Sequence, residues 1–333
     1  MKIAVLGCGG WGLAAALLLH ENGHRVTAWG RDSDRFRTLC RTRASEKLLP
    51  GITVPEEITL TDDLSCVRDC PIVVLAVPSF AVADLARQLQ GLLQPSQVMV
   101  LLSKGFDRHR GYCLLSDTLE QLLPGNPVVA LTGPSHAEEV ARNVPTAVLA
   151  ASRDAQAAEL VQSAFMRDSF RVYTSPDIVS AELGGAMKNI MALAVGISDG
   201  AGLGDNTKAM IMTRGIAEMA RLGRYLGGRT ETFSGLSGVG DLIVTCISNH
   251  SRNRRCGLLI GQGIPVEQAM EQVGAVVEGY YATQAIYELT RNAGLDMPIS
   301  SAMYRLLFLG DPLRDVVRDL MERDRRAEPE FWN

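Results

Sequence analysis

The sequence has no large surplus of either charge, no cysteine pattern of a disulfide framework or zinc ribbon, no apolar run of membrane length and no internal repeat. Each absence removes a class of function. A formal net charge of -4 over 333 residues gives nucleic acid or an anionic lipid surface nothing to attract. The seven cysteines (Cys8, Cys40, Cys66, Cys70, Cys113, Cys246 and Cys256) are odd in number and scattered. Cys66 and Cys70 have no second pair at zinc-ribbon spacing, so no metal site is expected. Reduced thiols in a cytoplasmic protein are the simplest reading. No apolar stretch reaches the roughly 20 residues of a bilayer span, so no stable membrane insertion is expected. Lys2 leads straight into the strand-like Ile3-Ala4-Val5-Leu6, which argues against a secretory leader. With 47% hydrophobic and 21% charged residues the chain is of ordinary globular composition, which disfavours disorder. Its length is too great for one ordinary core and suits two domains.

What is present alternates. Ile3 to Leu6, Arg25 to Trp29, Ile72 to Val77, Val98 to Leu102, Val128 to Thr132 and Thr146 to Ala150 read as strands. Leu13 to Leu19 and Ala81 to Leu93 read as helices, with Gly23 a stop for the first. Strands separated by helices imply crossovers and a parallel sheet covered on both faces, and the unbroken Val73-Val74-Leu75-Ala76-Val77 fits a fully buried strand. Beyond about Ser175 the pattern becomes helical: Val179 to Ile197, Thr207 to Leu226, Pro265 to Gln272, Tyr281 to Asn292 and Ile299 to Leu309. The expected fold is therefore α/β, a doubly wound sheet over 1–176 followed by an all-α domain over 177–333. Pro176 marks the junction. The charged end, Glu322 to Asn333, is expected to be loosely held.

Gly7-Cys8-Gly9-Gly10-Trp11-Gly12 satisfies G-x-G-x-x-G between the first strand and the first helix, the context of a Rossmann-type dinucleotide site. Gly7 makes the tight turn, Gly9 admits the pyrophosphate to the backbone, and Gly12 lets helix press on strand. The helix N-terminus supplies partial positive charge. At the end of the second strand stands Trp29-Gly30-Arg31-Asp32. Arg31 could hold a ribose 2′-phosphate through forked hydrogen bonds, which favours NADP(H). Asp32 could instead accept from a 2′-hydroxyl, which keeps NAD(H) open.

Five further segments carry candidate chemistry. Lys188 sits in an apolar helix, where a lysine either snorkels to solvent or is held in a cleft. Gly184 and Gly185, one turn earlier, suggest close approach by another backbone or a ligand. Lys104 follows the strand ending at Leu102, at the sheet edge where open α/β folds bind ligands, and Gly133-Pro134-Ser135-His136-Ala137 follows Thr132 at the same edge. His136 is an acid/base candidate, though a lone histidine is more often structural. Arg252, Arg254 and Arg255 open a helix that Asn249 or Ser251 can cap, a ready anion site. Gly235-Leu236-Ser237-Gly238-Val239-Gly240-Asp241 reads as a flexible loop ending in an acid.

Taken in order and spacing, these pieces resemble the bacterial-type NAD(P)-dependent glycerol-3-phosphate dehydrogenases from Met1 to about Leu309. Gly7 to Gly12, Leu102 to Gly105, Leu131 to Ala137, Glu182 to Asn189, Gly238 to Leu242, Ser251 to Asn253 and Val277-Glu278-Gly279 carry the likeness. The resemblance implies reduction of dihydroxyacetone phosphate to sn-glycerol 3-phosphate for glycerophospholipid synthesis, in a cytoplasmic homodimer. It implies Lys188 as proton donor or acceptor, with Lys104 orienting the substrate oxygen and Asp241 placing Lys188. Lys104, Gly133, Ser135, Lys188, Asp241, Ser251, Arg252 and Asn253 would bind substrate. Beside the glycines, Gly10, Trp11, Arg31, Lys104, Ala137, Arg252, Val276 and Glu278 would bind cofactor. The competing readings are a two-domain hydroxyacid dehydrogenase, which needs no basic cluster at a helix start, and an NADPH sensor without turnover, which need not keep both lysines.

Overall fold

The computed structural model describes residues 1–325 and 328. They form two compact units, Met1–Ser103 with Leu115–Ile178, and Lys104–Leu114 with the chain from Val179 onward. In the first unit, β1 (Lys2–Leu6), α1 (Gly10–Glu21), β2 (Arg25–Trp29), α2 (Asp34–Thr42), β3 (Thr59–Thr61), β4 (Ile72–Leu75), α3 (Val82–Leu89) and β5 (Val98–Leu101) alternate. A short ribbon of the second unit follows, β6 (Phe106–Asp107) and β7 (Cys113–Leu114). The first unit then resumes with α4 (Leu115–Leu122), β8 (Val128–Thr132), α5 (Ala137–Val140), β9 (Thr146–Ala151), α6 (Ala155–Phe165) and β10 (Phe170–Ser175).

These strands make one eight-stranded sheet in the order β10-β9-β8-β5-β4-β1-β2-β3. Every neighbour pair is parallel except β8 with β9. From β1 the chain moves outward to β2 and β3, then returns to β4 on the other side of β1. The order therefore reverses between β1 and β4, where Leu6 lies opposite both Trp29 and Leu75. Ligands of open α/β sheets sit beyond the carboxyl ends of the strands at such a reversal. The sheet core is fully apolar because helices cover both faces: Ile3, Val5, Ile72, Val74 and Val100 are wholly buried. Strand β10 escaped the sequence reading. Its alternation of buried Phe170 and Val172 with exposed Arg171 and Tyr173 is that of a half-buried edge strand.

The second unit holds α7 (Ile178–Gly200), α8 (Gly204–Tyr225), α9 (Asp241–Ile247), α10 (Arg252–Gly261), α11 (Val266–Val273), α12 (Glu278–Thr290), α13 (Pro298–Tyr304) and α14 (Leu313–Met321). The expectation that no apolar stretch reaches membrane length needs correction. Helix α7 has 23 residues and passes that test by length and composition, but 94% of its apolar window is buried inside the protein. A helix apolar on every side is a core helix when other helices surround it. The two-part division also gains a detail: Lys104–Leu114 groups with the helices rather than with the sheet that flanks it in sequence. Phe106 and Leu114 lie in the helical core with Met187, Ile190 and Met191 of α7. Most of the tail expected to be loose lies outside the described residues; within them, Arg323 pairs with Asp296 at 2.7 Å.

Candidate active site

In the sheet unit the site is built of backbone. Gly7 has φ +121°, and a Cβ there would meet the carbonyl oxygen of Ala76 at 2.5 Å. A Cβ on Gly12 would collide with the Gly7 carbonyl oxygen and lie 3.0 Å from the Ala76 Cβ. Glycine is thus required at both places, by conformation at one and by helix–strand contact at the other. The N-cap of α1 is Gly9, and no side chain caps it. Its first N–H groups are left for a ligand, with the helix dipole behind them. Trp11 packs on Phe170 with ring centroids 6.5 Å apart. Gly10 lies 3.6 Å, measured from an added Cβ, from the Cβ of Ala137 at the start of α5. This uncapped, glycine-lined turn at the sheet's reversal fits a dinucleotide pyrophosphate.

At the end of β2, Asp32 is held by Arg37, while Ser33 caps α2 by accepting from the Phe36 N–H at 3.2 Å. Arg31 is exposed and makes no ion pair with another described residue. The acid that could face a ribose hydroxyl therefore has a partner, and the base that could face a phosphate does not. Gly133 and Ser135 stand just past β8, where the Ser135 hydroxyl donates to the Gly133 carbonyl at 3.0 Å. His136 serves as the N-cap residue of α5 through its backbone.

In the helical unit the site is built of side chains. Lys188, in the middle of α7, donates to Asp241 Oδ1 and, at 2.8 Å, to Thr245 Oγ1. Lys104 donates to the other carboxylate oxygen of Asp241 at 2.7 Å. The Asp241 side chain is 1% exposed, Lys188 9% and Lys104 18%. Lys188 is therefore held in the interior and does not snorkel. The reason for the helix glycine is plain: a Cβ on Gly184 would strike the backbone carbonyl of Ser237. That contact brings the turn over Leu236–Gly240 onto α7 and delivers Asp241 to Lys188. The segment read as a flexible loop is an ordered π-helical turn that runs directly into α9.

Two lysines sharing one buried carboxylate hold charge away from water, where desolvation is costly. The charges feel it. Burial pulls the Lys188 ammonium down from its ordinary 10.5 to about 7; Asp241 pulls it upward and Lys104 pushes it downward. Burial works to raise Asp241, but Lys104 and Lys188 overcome it and hold the carboxyl below its usual range. A lysine that is half protonated near neutral pH can both give and take a proton.

Helix α10 begins beside this cluster. Asn253 donates to Asn189 Oδ1 at 2.9 Å and accepts from the Gly279 N–H at 2.8 Å, which ties α10 to α7 and to the start of α12. A Cβ on Gly279 would strike the Asn189 carbonyl, so the tie requires glycine after Glu278. Ser251 caps α10 by accepting from the Arg254 N–H at 3.2 Å. Of the three arginines read as one anion site, Arg254 is already engaged with Asp199 at 2.7 Å and with Asn249. Arg252, in the first turn of α10, is exposed with no ion pair to another described residue. The anion site thus narrows to Arg252 and the equally exposed Arg255, with the Ser251 hydroxyl and the helix end. Val276 and Glu278, both partly exposed, stand beside the α12 N-terminus.

Comparison with known proteins gives the family. Residues 2–158 match the NAD-dependent glycerol-3-phosphate dehydrogenase N-terminus, and residues 177–318 match the corresponding C-terminus. The chain belongs to the NAD-dependent glycerol-3-phosphate dehydrogenase family. It is 49% identical over 330 residues to the glycerol-3-phosphate dehydrogenase [NAD(P)+] of Moorella thermoacetica, covering 99% of this chain and 98% of that one. It is 46% identical to the enzyme of the same name from Desulfitobacterium hafniense, over 99% and 93% of the two chains. The crystal structure of glycerol-3-phosphate dehydrogenase from Coxiella burnetii superposes with a TM-score of 0.93 at 36% identity, over 97% of this chain and 99% of the other.

Within this dehydrogenase, Lys104, Lys188 and Asp241 come into one hydrogen-bonded cluster. Ser251 is the cap of α10, one of the two candidates that the sequence offers, and Asn253, expected only as a substrate contact, ties α10 to α12. Two residues, one in the cluster and one beside it in sequence, were not among the expected site residues. Thr245 lies one turn after Asp241, and its hydroxyl donates to the Asp241 carbonyl at 2.5 Å. It would have been visible had α9 been recognised as a helix. Asn189 follows Lys188 directly but turns to Asn253, a partner 64 residues away that no local pattern indicates.

Proposed function

We propose that this chain reduces dihydroxyacetone phosphate to sn-glycerol 3-phosphate, reversibly, supplying glycerophospholipid synthesis. The buried Lys104–Asp241–Lys188 cluster carries the reading, because it offers a positive, protonable group to an oxygen on which negative charge develops. Bound NAD(P)H supplies the hydride that reduces C2. Lys188 as ammonium stabilises the developing alkoxide and donates its proton; in the reverse direction it must be neutral to act as base. Lys104 orients the substrate oxygen, and Asp241 with Thr245 fixes the Lys188 amine. Arg252 and the Ser251 hydroxyl hold the phosphate. Asn253 contributes mainly by setting α10 against α7.

Gly7, Gly9, Gly10, Trp11 and Gly12 would hold the cofactor with Ala137, Lys104, Arg252, Val276 and Glu278. Arg31 favours NADP(H), since Asp32 is already paired, while NAD(H) remains usable. A hydroxyacid dehydrogenase would have no need of Arg252 at a helix end. A dinucleotide sensor would have no need to bury two lysines on one carboxylate. None of the seven cysteines forms a disulfide, which supports a cytoplasmic location. A homodimer is the assembly that the sequence resemblance implies. Initial rates with dihydroxyacetone phosphate or a small keto acid, each with NADPH and NADH, test the reading. Turnover should require the phosphorylated ketone and be faster with NADPH. Preferential use of the keto acid would refute the substrate, and a preference for NADH would refute the role of Arg31.

A further inference from the structure

Lys104 does not lie on a rigid element. It opens a ribbon whose strands have two residues each, paired only as Phe106 with Leu114 and Asp107 with Cys113. Such a hairpin has no stability of its own, and contacts with the helices help to place it. Phe106 and Leu114 provide two, being 3% and 5% exposed in the helical core. A third is directional. The guanidinium carbon of Arg108 lies 3.4 Å from the ring centroid of Tyr281 on α12. Tyr281 stands two residues after Gly279, whose N–H is held by Asn253, which in turn holds Asn189, the neighbour of Lys188. The ribbon that carries one lysine is thereby stacked on the helix whose start is tied to the other.

We propose that Arg108 and Tyr281 form a positioning pair that keeps Lys104 on Asp241 for the reaction. The pair acts by fixing the ribbon four residues beyond Lys104, where a cation over an aromatic face gives orientation as well as attraction. The proposal rests on the reading of Lys104 and Lys188 given above. The tyrosine hydroxyl makes no hydrogen bond to another described residue, so the ring alone matters and phenylalanine should replace it.

The test compares Tyr281→Phe, Tyr281→Leu, Arg108→Lys and Arg108→Ala in steady-state kinetics, each also in a Lys104→Met background. Tyr281→Phe should leave kcat within about twofold. Tyr281→Leu and Arg108→Ala should lower kcat about tenfold, with Arg108→Lys recovering part of the loss. With Lys104 already replaced, Tyr281→Leu should cost nothing more, which a merely structural role would not give. The pH profile provides a second readout. The titratable groups facing Lys188 are Lys104 from the ribbon and Asp241 and Cys246 from α9. Loosening Lys104 removes a positive neighbour, so the rise of kcat/KM for glycerol 3-phosphate oxidation should move to higher pH in Tyr281→Leu. Full activity and an unmoved profile in Tyr281→Leu, while Lys104→Met alone is severely impaired, would overturn the pair. A harmless Lys104→Met would instead remove the role of Lys104 on which the proposal rests.

Discussion

In the sheet unit the site is made of main chain, and in the helical unit it is made of side chains drawn from three remote stretches. The turn after β1 works because Gly7 and Gly12 have no Cβ, so carbonyl, helix and strand can touch. The cluster around Asp241 works because Lys104, Lys188 and Thr245, far apart in sequence, converge on one carboxylate and its helix. A backbone site fails through geometry and should lose affinity. A charge cluster fails through chemistry and should lose turnover.

That contrast can be broken first at Lys188. Replacing Lys188→Met keeps much of the buried stem and removes the proton, and kcat should fall by at least about 100-fold. NADPH binding, followed by fluorescence titration, should persist, since the glycine turn is untouched. Turnover within tenfold of the parent would end the assignment. Next in size is Arg252→Ala. Losing a charge-assisted contact should raise KM for dihydroxyacetone phosphate about 30-fold with less effect on kcat. An unchanged KM would move the phosphate elsewhere.

Gly12→Ala sharpens the other side of the comparison. The added methyl must displace either α1 or the Gly7 turn, which should weaken NADPH about tenfold and lower the thermal midpoint. Its kcat at saturating cofactor should stay near the parent value; a selective loss of kcat would mean that the turn does more than bind. The smallest effect is in pH. Because burial brings Lys188 to about 7, its acid form is lost as pH rises through that value. The kcat/KM for ketone reduction should therefore fall about fivefold between about pH 7 and 8, while that for oxidation rises over the same interval. A flat profile for reduction across this range would show that another group supplies the proton.

Much of the sheet unit was readable in the chain itself. Strands such as Val128 to Thr132 are unbroken apolar runs, and Gly7 to Gly12 announces a turn whose shape depends on missing side chains. Strand β10 was overlooked, since an alternating edge strand followed by Pro176 resembles a domain junction. The helical unit was readable as helices and less so as a site. Three glycines before Asp241 give the pattern of a loop, yet Gly238 allows the tight turn that leads into α9, since a Cβ there would strike the Phe233 carbonyl. The membrane-length reading failed at α7 for a related reason: polar residues such as Lys188 interrupt the run by eye, while the mean over the helix remains apolar.

The order of amino acids by itself determined which elements form, where the nucleotide turn must lie and which residue types could carry a proton. Those properties are local, depending on periodicity, on absent Cβ atoms and on the chemistry of single side chains. Tertiary structure alone decided that Lys104 joins the helices, that Arg254 is committed to Asp199 while Arg252 is not, and that two lysines share one buried acid. Each is a matter of distance between groups far apart along the chain. The resulting charge balance, which brings Lys188 close to neutrality, exists only once water has been excluded from around them.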